Sequence, residues 1–276
     1  MQSDGLLQKL KDDLISYNRS GATQRTYLAI ASCFLKSLKN KQNISDSDVA
    51  SYLARLRESG KSGNTIRYTH YALRKLFLTN KIEFVRRPPP IMEINQPYFT
   101  KEEVEKMIKT AKLSCDAQQK AFLIMASIYA LRRGEIITIR PKDIDKKNHT
   151  IFIHTEKGGI QREQFIPQNL RKYIYGYDWK DKVSKARMSN LFYVIMHNCK
   201  FDIDEMPQHS GWHMLRRTLV TCLRQLKVDG AVISKFLRWK SQQISSGSPM
   251  LAIYDKTEFS IVDQEIFNNH PFLKLW

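Results

Sequence analysis

Cysteine is scarce in this chain: four residues in 276, at positions 33, 115, 199 and 222, too far apart for close-set zinc ligands and too few for a disulfide scaffold. That usage points to a reducing, intracellular compartment. Long hydrophobic runs are missing too. The longest, residues 121–131, falls short of the roughly 20 apolar residues that span a bilayer. The polar opening, residues 1–8, lacks the hydrophobic segment of a secretion signal. No membrane partner is expected. There is no glycine-rich phosphate loop, no cluster with metal-ligand spacing, no internal repeat and no low-complexity tract, so neither a metal nor an organic cofactor is expected. Acidic residues are in deficit, 27 against 45 Lys and Arg, which leaves a formal net charge of +18. Such an excess points to a polyanion, because each neutralised phosphate releases condensed counterions, and nucleic acid is the leading partner.

What is present is enough to fold. Hydrophobic residues make up 42% and aromatics 11%, sufficient apolar surface for one large domain or two ordinary ones. The charge is uneven: residues 1–90 carry 16 Lys and Arg against 7 Asp and Glu, half the total excess on the first third of the chain. In that third, Tyr27, Ile30, Ala31, Phe34, Leu35 and Leu38 recur at helical spacing behind Thr23 as cap. Val49, Leu53 and Leu56 follow Ser45 and predict a second helix ending near Gly60. After a Gly63-Asn64 turn, Thr65 is read as the cap of a third helix with Tyr68, Ala72, Leu73, Leu76 and Phe77 as its apolar stripe. Arg67, Arg74 and Lys75 lie on its other faces, and Arg86 and Arg87 follow it. These five are the expected phosphate contacts of the region.

The triple proline 88–90 then interrupts periodic structure, since proline fixes φ and lacks a donor. A linker over 88–99 is predicted, with a second, mostly helical domain restarting at Thr100, where Glu102 and Glu103 occupy the first turn. Inside it, the β-branched stretch 150–155 and the segment 164–166 flank a Gly158-Gly159 pair and predict a β-hairpin with Lys157 at its tip. The expected fold class is mainly α with a small antiparallel hairpin.

Three patterns carry chemistry. Arg132 and Arg133 follow a buried apolar helix, where cations are costly unless they face a polar site or a carboxylate such as Glu135. Lys157 sits on the hairpin. His213 and Arg216, three positions apart, share a helical face. Each alone has an ordinary structural reading, as a paired arginine, a solvated lysine or a core histidine. In order, Ala130-Leu131-Arg132-Arg133-Gly134-Glu135-Ile136, the Lys157 hairpin, His213-Met214-Leu215-Arg216 with Thr218, and a late tyrosine resemble the signature of the tyrosine recombinases, the integrase family. The connecting text IRPKDIDKKNHTIFIHTEKGG and the N-terminal helices extend the resemblance over nearly the whole chain.

The resemblance implies a helical core-binding domain at 1–87, the linker at 88–99 and a catalytic domain with a C-terminal tail at 100–276. It implies Arg132 and Arg216 as paired arginines on a phosphate, Lys157 as donor to the leaving 5′ oxygen, His213 as base or hydrogen-bond partner, and Glu135 as support. Leu237-Arg238-Trp239-Lys240-Ser241 stands where the family has Leu-Gly-His-Ser, so Trp239 takes the histidine place. It could donate its indole N–H or pack against the nucleophile's segment. Tyr254, the only tyrosine after Tyr193, is the implied nucleophile, further from Trp239 than the family pattern has it; residues 242–248 read as a flexible insertion. The expected activity is site-specific recombination of double-stranded DNA, of the integrase or Xer kind, through a 3′-phosphotyrosyl intermediate. A non-catalytic DNA-binding relative and a type IB topoisomerase-like relaxing enzyme are the alternatives. The chain's start near the first helical domain implies a simple recombinase without a separate arm-binding domain. The apolar tail positions Ile261, Ile266, Phe267, Phe272, Leu273 and Trp276 are expected to pack on a neighbouring protomer, in a homotetramer on two DNA sites, rather than on their own domain.

Overall fold

Leucines 7, 10 and 14 recur one turn apart in the first helix, and the apolar stripes of the next three helices share that spacing. The computed structural model describes all residues except 1, 40–42, 91–95, 156–157, 203, 205, 207–209 and 240–257. It divides into two units, Met1–Asn95 and Gln96–Trp276.

The first unit is built from α1 (Gln2–Ser16), α2 (Gly21–Ser37), α3 (Asp46–Glu58) and α4 (Gly63–Thr79). Helix α4 packs against the other three, burying Ile66, Leu73, Leu76 and Phe77 against Leu10, Leu14, Phe34 and Val49. Two caps differ from expectation. Helix α2 starts behind Ser20, whose hydroxyl accepts from the Thr23 N–H, and α4 starts behind Ser62, whose hydroxyl accepts from the Thr65 N–H. Thr23 and Thr65 therefore sit inside the first turn, and Gly63-Asn64 is helical. The cause is local: in each pair the two hydroxyls are three residues apart and bond each other at 2.9 Å, and the earlier one meets the free N–H. Ser45 does cap α3, with Asp48 completing a capping box.

The second unit contains α5 (Lys101–Ser114), α6 (Ala117–Ser127), α7 (Arg133–Thr138), a 3₁₀ turn (Pro141–Asp143), β1 (Ile144–Asp145), β2 (Thr150–Ile153), β3 (Arg162–Phe165), α8 (Gln168–Tyr175), α9 (Lys185–Asn198), α10 (Trp212–Gln225), α11 (Gly230–Phe236), α12 (Phe259–Asn268) and a last 3₁₀ turn (Leu273–Leu275). Thr100 caps α5 reciprocally with Glu103. Helix α6 is apolar nearly all round, as befits the central helix of a core, and packs against α5, α7, α8 and α10. The sheet is antiparallel in the order β1-β2-β3, pairing Thr150 with Phe165 and Ile153 with Arg162. Strand β2 turns Ile151 and Ile153 inward, whereas β3 turns Arg162 and Gln164 inward. A strand with a polar buried face needs partners for it, and these define the site below.

The tail has a seat within its own chain. It packs on its own unit: α12 lies on α11 and β3, and Ile266, Phe272 and Trp276 are buried there. The Lys112 ammonium donates to the Leu275 carbonyl at 2.8 Å and the Asn169 amide to the Leu273 carbonyl at 2.7 Å. His270 donates from Nε2 to the Ile128 carbonyl and accepts at Nδ1 from the Phe272 N–H, both at 3.1 Å. The same unit offers an apolar surface, side-chain donors on Lys112 and Asn169 and the Ile128 carbonyl, which match the tail's buried positions and leave Ile261 exposed.

Candidate active site

The chain leaves α6 through Ala130, whose φ of +51° turns the backbone into the left-handed region, and Arg132 then caps α7. Glu135, fully buried, answers Arg132 twice: Oε2 accepts from the Arg132 N–H and Oε1 from its Nη1, each at 2.8 Å. One face of the Arg132 guanidinium therefore rests on a buried carboxylate, while its side chain remains 21% exposed. Arg133 points elsewhere, donating to the Ser189 hydroxyl at 2.6 Å.

Arg216 comes from the buried face of α10 and donates from Nη1 to the Ala130 carbonyl and from Nη2 to the Leu237 carbonyl at 3.1 Å. Both acceptors adjoin left-handed turns, at Ala130 and at Arg238, whose φ is +61°. Those turns aim main-chain oxygens inward at a guanidinium that is almost wholly buried. Burial, then the nearby Arg238 and Arg132 charges, push Arg216 well below the usual arginine range, with Glu135 opposing. Such a group gains from an added anion. Trp239, half-buried, places its ring 5.6 Å from the Arg216 Cζ. His213 lies one turn before Arg216 on α10 and is exposed.

Arg132, Glu135, Arg216 and Trp239 thus form one neighbourhood, with His213 on the same helix. Lys157 and Tyr254, and the segment 242–250 expected to carry the nucleophile loosely, lie outside the described residues. The strands on either side of Lys157 in the sequence do pair. Buried Tyr129 is not a rival nucleophile: burial pushes its phenol up, and its hydroxyl donates to the Phe165 carbonyl at 3.0 Å.

Sequence reasoning missed the layer beneath. Arg238, fully buried, donates to the Gln164 side chain, to the Phe236 carbonyl at 3.0 Å and to the Tyr129 carbonyl at 3.3 Å, and lies 3.7 Å from Glu135 Oε2. Beside it the buried pair Arg162–Asp263 closes at 2.6 Å, joining β3 to α12. The two-residue alternation of β3 was the available signal for Arg162 and Gln164.

In the first unit, three of the five expected phosphate contacts have internal partners. Arg67 donates to the Pro89 carbonyl and to the Tyr71 hydroxyl, Lys75 meets Asp13 at 2.5 Å, and Arg86 meets Asp46 at 3.3 Å. Arg74 and Arg87 are exposed.

A helical unit is thus followed by an α-rich unit with a three-stranded sheet, in which partly exposed Arg132 and buried Arg216 form a site suited to an anionic ligand. Residues 97–246 match the model of the phage integrase family. The chain belongs to that family, the tyrosine recombinases, enzymes that break and rejoin DNA strands. Tyrosine recombinase XerA of Saccharolobus solfataricus is 24% identical over 87% of this chain and 86% of that protein. Tyrosine recombinase XerC of Chlamydia pneumoniae is 29% identical over 81% and 77%. Among solved structures, a lambda integrase (75–356) dimer bound to a COC′ core site superposes with a TM-score of 0.68, at 15% identity over 89% of this chain and 97% of that one.

Proposed function

We propose that this chain is a site-specific recombinase of double-stranded DNA that cuts and rejoins strands through a 3′-phosphotyrosyl link on Tyr254. The observation that carries the reading is the pairing of Arg132, set on Glu135, with buried Arg216 beneath Trp239. Two guanidiniums held this way suit the nonbridging oxygens of one phosphodiester, whose charge otherwise repels a nucleophile. The Tyr254 oxygen attacks phosphorus and its proton goes to His213 as base or hydrogen-bond partner; the bond to the 5′ oxygen breaks, and Lys157 protonates that oxygen as it leaves. A 5′ hydroxyl reverses the step, so the phosphotyrosyl ester conserves the bond for rejoining and no cofactor is consumed.

The first unit and its basic residues Arg67, Arg74, Lys75, Arg86 and Arg87 supply phosphate contacts, the exposed Arg74 and Arg87 most directly. Four protomers on two DNA sites are the working assembly. The likeness to a lambda integrase dimer bound to a core site and a lambda integrase tetramer bound to a Holliday junction supports that reading. In such an assembly the tail's exposed apolar residues among those described, Phe259 and Ile261, are available to a neighbour. Four free cysteines support a reducing compartment, and no helix among the described residues is long and apolar enough to cross a membrane.

The test is a nicked suicide duplex carrying a sequence selected from a random library by binding to the full chain. Wild type should form a covalent adduct that peptide mapping places on Tyr254, and Tyr254→Phe should bind the duplex yet form none. An adduct surviving that change would move the nucleophile elsewhere.

A further inference from the structure

Arg238 combines three properties that ordinary surface arginines lack. Its side chain is fully buried, its backbone sits at φ +61°, a conformation L side chains rarely adopt, and its head lies among groups that also position the two arginines of the site. Its main chain is held as firmly as its side chain. The Arg238 carbonyl accepts from the Ile160 N–H at 3.0 Å, and a Cβ at Gly159 would lie 2.7 Å from the same oxygen, so only glycine fits there. The residue therefore ties the base of the Lys157 hairpin to the segment that carries Trp239.

The charge pattern says what the guanidinium adds. Three guanidiniums, those of Arg132, Arg216 and Arg238, surround the single carboxylate of Glu135, while Arg162 is already matched by Asp263 at 2.6 Å. Of the three, only Arg132 is appreciably exposed. Were Arg132 the only cation in ion-pair contact with Glu135, with Arg216 acting from further off, the buried carboxylate would draw that guanidinium inward and offset the charge it offers to a ligand. With Arg238 on Oε2, the carboxylate is balanced from below.

We infer that Arg238 is a positioning residue of this site: its buried guanidinium neutralises Glu135, leaving the charge of Arg132 free for the scissile phosphate. The inference rests on the recombinase reading above. Burial and neighbouring cations lower Arg238 only to about 10, so the group stays protonated at neutral pH. At this left-handed turn Arg238 reaches Glu135 of α7 while its neighbour Trp239 faces Arg216.

The experiment compares single-turnover adduct formation and duplex affinity on the selected suicide duplex for the full chain and for Arg238→Met, Arg238→Lys, Glu135→Gln and the Glu135→Gln/Arg238→Met double variant. Arg238→Met should slow adduct formation about 30-fold, with affinity held within about threefold. Arg238→Lys should restore most of the rate. The double variant should be roughly tenfold faster than Arg238→Met, because no uncompensated carboxylate then competes for Arg132. A role in packing alone predicts the opposite, a double variant as slow as or slower than Arg238→Met, and that result would overturn the proposal, as would an Arg238→Met rate equal to wild type. Should Arg238→Met not fold, Arg238→Gly, which suits the left-handed turn, takes its place with the same expected rescue by Glu135→Gln. A second readout separates this inference from the recombinase reading. At fixed ionic strength, inorganic phosphate should raise the melting midpoint of wild type and of the double variant, but not of Arg238→Met. If wild type forms no adduct yet shows that pattern, the recombinase reading fails and the role of Arg238 stands; equal shifts in all variants would refute the role of Arg238.

Discussion

The two units use arginine and lysine in opposite ways. In residues 1–95 the only buried polar side chains among those described are Thr69 and His70, and every cation considered there lies at the surface, exposed or leaning on a carboxylate, carbonyl or ring. In residues 96–276, Arg162, Arg216 and Arg238 are buried, with Glu135 and Asp263 buried beside them. Surface cations cost little and act at long range, so they supply affinity that salt can screen. Buried cations are expensive to desolvate and are retained where a fixed field is needed, as at a phosphate undergoing displacement. On the function proposed above, the contrast separates holding DNA from reacting with it, and it can be attacked at several points.

The largest effect should come from Asp263. It closes on Arg162 at 2.6 Å and also accepts from the Phe165 N–H at 3.2 Å, so Asp263→Ala leaves a buried guanidinium unmatched. A loss of about 3–5 kcal/mol in denaturant unfolding of the second unit is expected. The parallel change in the first unit, Asp13→Ala beside half-buried Lys75, should cost at most about 1 kcal/mol. Equal losses would erase the distinction between the units.

His270 comes next. Its two hydrogen bonds require the neutral ring, and burial lowers its pKa to about 4. As pH falls, the unfolded imidazole takes up a proton near pH 6.5 while the folded one does not until about 4. Stability is therefore complete above about pH 6.5 and is lost as pH falls to about 4, by on the order of 3 kcal/mol. His270→Gln should flatten that part of the stability profile, and a profile unchanged by the substitution would contradict the assignment. The smallest effect belongs to Arg74 and Arg87. Replacing either with alanine should weaken duplex binding only a few-fold and reduce the salt slope by about one, with the rate of the bound complex unchanged.

Much of this arrangement was legible in the sequence, and the gaps have physical causes. The stripes of α2, α3 and α4, the Thr100–Glu103 capping box and the paired strands around residues 158–159 follow from local periodicity and cap chemistry, which act over a few residues. Arg132, Glu135 and Arg216 were legible because their order and spacing match a known pattern. Arg238 was not, since Arg238-Trp239-Lys240 reads as a basic surface turn, and its burial depends on Glu135, Gln164 and Tyr129, all distant in sequence. The tail shows the same limit. Its apolar residues announce that something covers them, but amphipathic spacing carries no information on which surface does so; within the chain, the carbonyl of Ile128 and α12's seat on β3 and α11 meet them.

The division of labour is tested most directly by measuring duplex affinity and single-turnover adduct formation side by side for Arg132→Ala and Arg216→Ala. Each should lower adduct formation by on the order of 10²-fold or more while affinity stays within about threefold of wild type. Affinity and rate falling in parallel, or rates within a few-fold of wild type for both variants, would contradict it.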